Sequence, residues 1–138
     1  AMGMSLGGYT TALFATVEPR LSFAVPTIPL ASIADFGRDT GRLIGTPEQK
    51  DLQHGALEAA MRVVSPFGRA PVVPGDRMIV VAGEGDRITP IAHARKLAAH
   101  FDAPMEVFHG GHLLQFGRAD AFRAVWKMLG RLGVLERR

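Results

Sequence analysis

Cysteine is absent from the 138 residues, which excludes disulfides, thiolate zinc sites and a cysteine nucleophile. Long apolar runs are absent as well; no stretch approaches the ~20 residues that a membrane-spanning helix needs. Ala1–Ser5 has no basic segment, and Gly7 and Gly8 break up the residues after it, so the pattern of a secretory signal is missing. With no such signal and no cysteine, a cytoplasmic location is the expectation. Clustered basic residues are scarce too. The net charge is +3, yet Arg20, Arg38, Arg62, Arg77, Arg95 and Arg118 are scattered, and among the arginines only Arg137 and Arg138 adjoin. A nucleic-acid surface concentrates such side chains, so no nucleic-acid partner is expected.

What is present suits one packed domain: 47% of residues are hydrophobic and 21% charged. Gly3–Gly8 leads into a helical pattern in which Leu6, Leu13 and Val17 recur, with Thr10 filling the missing turn, and Glu18-Pro19-Arg20 ends it. Leu21–Val25, stopped by Pro26, is expected to be a short strand. Thr46-Pro47-Glu48-Gln49 has the marks of a capped helix start, followed by an apolar stripe of Leu52, Ala56, Ala59 and Val63. His54, Glu58 and Arg62 share another face of that helix. Val64 to Gly75 holds prolines and glycines and is expected to be a loop.

Met78–Ala82 is apolar on both faces and β-branched, the pattern of a central parallel strand covered by helices on both sides. Thr89-Pro90 is expected to start a helix, as N-cap and first residue, with Ile91, Ala94, Ala98 and Phe101 inward and His93, Lys96 and His100 in water. Met105–Phe108 is a further strand. Arg118–Leu132 is a last helix, burying Phe122, Val125, Trp126 and Leu129. Strands alternating with helices imply an α/β fold with a parallel sheet.

Three places could carry chemistry. Gly3-Met4-Ser5-Leu6-Gly7 fits G-x-S-x-G, a tight strand-to-helix turn that exposes a serine over a helix N-terminus. Gly3 and Gly7 let the strand and helix backbones approach, and the Leu6 N–H becomes a donor to a developing oxyanion. Asp86, in Gly83–Pro90, lies beyond the end of the central strand, the edge where open α/β sheets place ligands. His112, in His109-Gly110-Gly111-His112, follows the next strand at the same edge. Alternatives stand beside each: Ser5 as a helix N-cap only, Glu84 or Asp35 as the acid, His109 as the base. His54, His93 and His100 read as solvated. Tyr9, Phe36, Leu43, Ile44, Leu113 and Leu114 read as pocket lining or as ordinary core.

Gly3–Gly8, the Gly-x-x-Asp-x-Ile-x-Pro form of residues 83–90 and Gly110-Gly111-His112, in that order, resemble the α/β-hydrolase superfamily of the serine esterase and lipase type. The resemblance covers nearly the whole chain. It implies that Ser5 is the nucleophile, Asp86 the acid and His112 the general base, in acyl transfer to water through a covalent intermediate. It implies a small-molecule ester substrate and no metal or organic cofactor. It also makes residues 30–74 a helical lid or cap insert within a single domain over 1–138.

One departure from the superfamily stands out. The elbow serine should follow a buried strand, and only Ala1-Met2-Gly3-Met4 precede it. The expected fold is therefore a partial α/β-hydrolase fold, its C-terminal half, with the N-terminal half of the sheet missing. Three arrangements answer this: a fragment of a longer enzyme, which is favoured; a chain that self-associates into an oligomer to cover open edges; or a minimal hydrolase. The competing functional reading is a catalytically inactive remnant or interaction module that retains the motifs.

Overall fold

The computed structural model describes residues 1–135. Four parallel strands lie in the order β1 (Met2–Met4), β2 (Val25–Thr27), β3 (Val80–Gly83) and β4 (Met105–Phe108), so each strand neighbours the next in sequence. Parallel neighbours need crossover connections. Helix α1 (Leu6–Phe14) joins β1 to β2, and α4 (Ile91–Phe101) joins β3 to β4. Crossovers that advance in one direction with one hand must share a face. The core bears this out: Ala12 and Ala15 of the α1 region pack with Val80, Ala82, Leu97 and Phe101. Helix α5 (Arg118–Arg131) covers the opposite face, where Val125, Met128 and Leu129 meet Val25, Ile79, Val81 and Phe108. β3 is thus buried on both faces, as its β-branched run predicts.

β2 starts later than the sequence suggests. Leu21–Phe23 are irregular, Ala24 makes an isolated bridge to Met78, and the strand is Val25–Thr27. Pro26 does not end it. It pairs opposite Gly3 in register, and the ladder toward β3 resumes where Ile28 N–H donates to Val81 O at 2.6 Å. The proline lacks only the single donor that would face β3.

Between β2 and β3 lie α2 (Ile33–Asp39), which the sequence pattern did not reveal, and α3 (Pro47–Ala60), followed by short 3₁₀ turns. α3 begins with the capping box that Thr46 and Gln49 promised. Its Leu52–Ala56–Ala59–Val63 stripe points outward, with Leu52 and Val63 each 75% exposed, and the half-buried side is Gln53, His54 and Leu57. The stripe on α1 is reversed likewise: Leu6 is 61% exposed, while Gly8, Tyr9, Thr11 and Ala12 face the core. On α5, Trp126 is exposed and its neighbour Val125 is buried. Among the described residues no helix is long and apolar enough to cross a membrane.

Candidate active site

The three chemical motifs meet at the C-terminal edge of the sheet. Ser5 occupies the turn between β1 and α1 with φ 56° and ψ −117°, a backbone conformation that costs a non-glycine residue free energy and persists only when its surroundings enforce it. Ser5 N–H donating to Thr27 O and Ser5 O accepting from Tyr9 N–H, both at 3.0 Å, hold it there. Gly3 is needed for close approach, because a Cβ on it would sit 2.3 Å from Gly7 O. Gly7 contributes through that carbonyl alone; its own Cβ position is open. Ser5 occupies the N-cap position of α1, yet its hydroxyl makes no capping bond. It lies 3.0 Å from His112 Nε2 instead, so the reading of Ser5 as a cap alone does not match the geometry.

His112 Nδ1 stands 2.8 Å from Asp86 Oδ2, and the Asp86 side chain is fully buried. The other oxygen, Oδ1, accepts from Ile88 N–H at 2.9 Å and Thr89 N–H at 2.8 Å. Backbone donors in the acid's own loop thus satisfy the charge that burial would otherwise penalise. Since a carboxylate only accepts, Nδ1 carries the ring proton, and the Nε2 lone pair faces the Ser5 hydroxyl. Gly111 lets the histidine loop rest on the acid loop; a Cβ there would come within 2.9 Å of Gly85 O. Leu6 opens α1, where backbone N–H groups have no intrahelical acceptor and the helix dipole is positive.

The rival residues lie elsewhere. Glu84 and His109 pair with each other at 2.9 Å in solvent, with side chains 64% and 92% exposed. Asp35 is buried in an ion-pair hub joining α2, α3 and α4. Lys96 Nζ lies 2.7 Å from its Oδ2, while His54 Nε2 at 2.9 Å and Arg38 Nη2 at 3.0 Å reach Oδ1. Burial alone would raise its pKa, but the bonds from Lys96, His54 and Ser32 and the Lys96 charge outweigh it and hold the carboxyl at about 2. Asp35, His54 and Glu58 have a spacing that could hold a metal. Lys96 and Arg38 already pair with Asp35, however, so a cation there would meet two positive side chains.

The remaining histidines are not solvated as the helix pattern suggested. His93 is 3% exposed; its Nδ1 accepts Ala31 N–H at 2.9 Å. Its Nε2 faces Asp39 Oδ2 at 3.2 Å but out of line for a hydrogen bond. Burial lowers its pKa despite the nearby carboxylates of Asp39 and Asp35. His100 is wedged edge-on between Phe67 and Phe101.

A cavity of ≈ 340 Å³ lies against α2 and the 3₁₀ turns, lined by Tyr9, Ile33, Ala34, Met61 and Phe67 among others. Tyr9, one turn along α1 from Ser5, lines it and donates its hydroxyl to Val64 O at 2.5 Å. The other candidate lining residues do not line it: Phe36 is half-buried beneath Arg42, Leu43 is buried elsewhere, and Ile44, Leu113 and Leu114 are exposed. Thr89 is the residue that sequence reasoning placed wrongly. Expected as a helix N-cap, it gives that position to Pro90, and its hydroxyl turns into the site. Its position three residues after the acid was the available signal.

No protein-family model matches the chain. An uncharacterized protein of Mycobacterium tuberculosis, Rv2627c, is 31% identical over 137 residues, 97% of this chain. The chain spans about a third (33%) of that relative's length. Among solved structures, a puromycin hydrolase superposes with TM-score 0.68 at 16% identity, over 98% of this chain and 22% of its own. An acylaminoacyl peptidase of Pyrococcus horikoshii gives 0.69 at 12%, over 94% and 23%. An acetyl xylan esterase of Thermoanaerobacterium gives 0.55 at 23%, over 94% and 44%. The chain has an α/β fold of four parallel strands with flanking helices, and it matches part of the α/β-hydrolase fold.

Proposed function

We propose that the protein is a serine hydrolase acting on carboxylic esters through an acyl-enzyme intermediate. The observation that carries this reading is the continuous hydrogen-bonded line from Asp86 Oδ2 through His112 to Ser5 Oγ, at 2.8 and 3.0 Å. In the proposed reaction His112 Nε2 takes the Ser5 proton as Oγ bonds to the ester carbonyl carbon. The negative charge moves onto the carbonyl oxygen, toward Leu6 N–H. Collapse of that adduct breaks the bond to the alcohol oxygen, which leaves with the proton from Nε2. A water, deprotonated by the same nitrogen, then attacks the acyl carbon, releases the acid and returns the proton to Ser5. Asp86 keeps the imidazole oriented and stabilises its charged form. Residues 30–74 would cover the acyl group as a lid; the cavity they form with Tyr9 is lined by none of Ser5, Asp86 and His112, so it is not assigned to the acyl group. Fold relatives named for ester and for peptide cleavage support hydrolysis in general; the choice of ester is the proposal's own.

A second reading, an oligomerising interaction module, is favoured by one observation. β1 is an edge strand, and Met2, Met4, Leu6, Phe14 and Val17 around it are about half exposed or more. One experiment separates the two. Hydrolysis of p-nitrophenyl acetate and butyrate, with Ser5→Ala alongside, is expected to show turnover that the variant loses. Labelling of Ser5 by a serine-directed phosphonate should likewise vanish in His112→Ala. Equal rates in wild type and Ser5→Ala would leave the module reading.

A further inference from the structure

Two hydroxyls at the starts of helices do not cap them. One is Ser5, the proposed nucleophile; the other is Thr89. Thr89 is 4% exposed, and its Oγ1 lies 3.0 Å from Asp86 Oδ2, 3.0 Å from Ile28 O and 3.2 Å from His112 Nδ1. α4 consequently begins without a side-chain cap, although a threonine cap is worth about 1 kcal/mol to a helix. The carbonyl it meets is also unusual. Ile28 has φ 39°, a conformation in which a β-branched residue is a genuine outlier, and its N–H is fastened to Val81 O.

We infer that Thr89 is a positioning residue that selects the Nδ1–H tautomer of His112, an inference that rests on the hydrolase reading for its part in turnover. The hydroxyl has one proton and three neighbours. Ile28 O and Asp86 Oδ2 are acceptors and cannot donate. If the hydroxyl gave its proton to His112 Nδ1, as the Nε2–H tautomer requires, its lone pairs would face both of those oxygens at 3.0 Å with nothing between. Given instead to either oxygen, the proton relieves one such contact, and toward Nδ1 the hydroxyl can only accept. The ring then carries its proton on Nδ1 and presents an Nε2 lone pair to Ser5. Asp86 alone favours this tautomer; Thr89 adds a second group that penalises the other, and ties the acid loop to the end of β2. Its side chain touches the histidine and the acid, and acts on the reaction through them.

The test reads the ring directly. ¹⁵N NMR of histidine-labelled protein, at a pH where His112 is neutral, is expected to show a protonated Nδ1 and an unprotonated Nε2 in wild type. Thr89→Val, which keeps the shape and removes the hydroxyl, should shift both signals toward a mixture of tautomers, and Thr89→Ser should restore them. Thr89→Ala is a second hydroxyl-free variant if the valine methyl cannot be seated. Alongside, kcat should fall by roughly 10- to 100-fold in Thr89→Val, the scale of one hydrogen bond to a charged group, with KM little changed and kcat recovered in Thr89→Ser. A wild-type spectrum in the hydroxyl-free variants, or a Thr89→Ser spectrum that matches theirs, would overturn the inference. Failure of the hydrolase reading is separately visible as a wild-type Ser5 that no phosphonate labels, and the tautomer measurement stands without it.

Discussion

Replacing Asp86 by asparagine changes one atom, and the surroundings dictate which way the new amide must turn. The Oδ1 position receives two backbone N–H groups, from Ile88 and Thr89, so it must hold the amide oxygen; an NH₂ there would face two donors. The NH₂ therefore takes the Oδ2 position, 2.8 Å from His112 Nδ1. A donor there demands a lone pair on Nδ1, which moves the ring proton to Nε2 and aims it at Ser5 Oγ. The base is lost although every heavy atom stays in place. In serine hydrolases such a tautomer error costs about 10⁴ in kcat, or about 5 kcal/mol of transition-state stabilisation. The backbone bonds to the amide oxygen survive, so Asp86→Asn should melt within about 1 kcal/mol of wild type. The assay is p-nitrophenyl butyrate hydrolysis over the Ser5→Ala background, with phosphonate labelling of Ser5 as a second rate for slow variants. Asp86→Asn activity within tenfold of wild type, with the fold intact, would refute the tautomer reasoning and the role given to Asp86.

Three further outcomes rest on other parts of the structure. Asp35, held at about 2 against an ordinary 3.8, adds stability that is full above about pH 4 and is lost as pH falls toward 2, worth about 2 kcal/mol. Asp35→Asn should therefore be less stable at pH 7 by about that amount and flatter with pH between 4 and 2, as urea melts would show. Gly3→Ala must push a Cβ against Gly7 O and should cost about 2–3 kcal/mol, whereas Gly7→Ala, with open space, should be neutral or gain up to about 1 kcal/mol of helix propensity; thermal melts of both decide it. If the apolar surface of β1 and α1 drives self-association, Phe14→Glu with Val17→Lys should lower the mass seen by light scattering toward the 14.8 kDa of one chain, and an unchanged mass would exclude that surface.

The partial α/β fold was legible because its signals are local. β3 announces itself through an apolar run that needs cover on both faces, and the α3 capping box is a short pattern with a fixed geometry. The meeting of Ser5, Asp86 and His112 was legible for a different reason: each follows or ends a strand, and parallel strands bring all such loops to one edge. What could not be read were effects that depend on another element's position. β2 runs through Pro26 because the missing donor matters only on the side facing β3. His54 and His93 lie on helix faces that look polar, and only the packing of α2 and the residues just before it supplies the carboxylates and the Ala31 N–H that they meet.

The helix faces show where periodicity fails as a guide. On α1 and the turn after it the large residues Leu6, Phe14 and Val17 are exposed, and apart from Tyr9 the buried side is small: Gly8, Thr11, Ala12 and Ala15. A helix entered through so tight a turn lies close to its strands, as the Cβ positions of Gly3 and Gly8 show, and close approach selects small residues, the reverse of the usual rule that the bulkiest stripe faces inward. The large residues on its other side are then the informative part. Met2 and Met4 on the edge strand are exposed as well, and exposed apolar side chains in such number on a folded chain mark places where something else packs. The outward-facing residues of α1 are therefore the reason to measure association state and hydrolysis on one preparation. Ser5 depends on β1 and α1 for its strained conformation, so anything that packs against their outer side acts directly on the backbone that holds the proposed nucleophile.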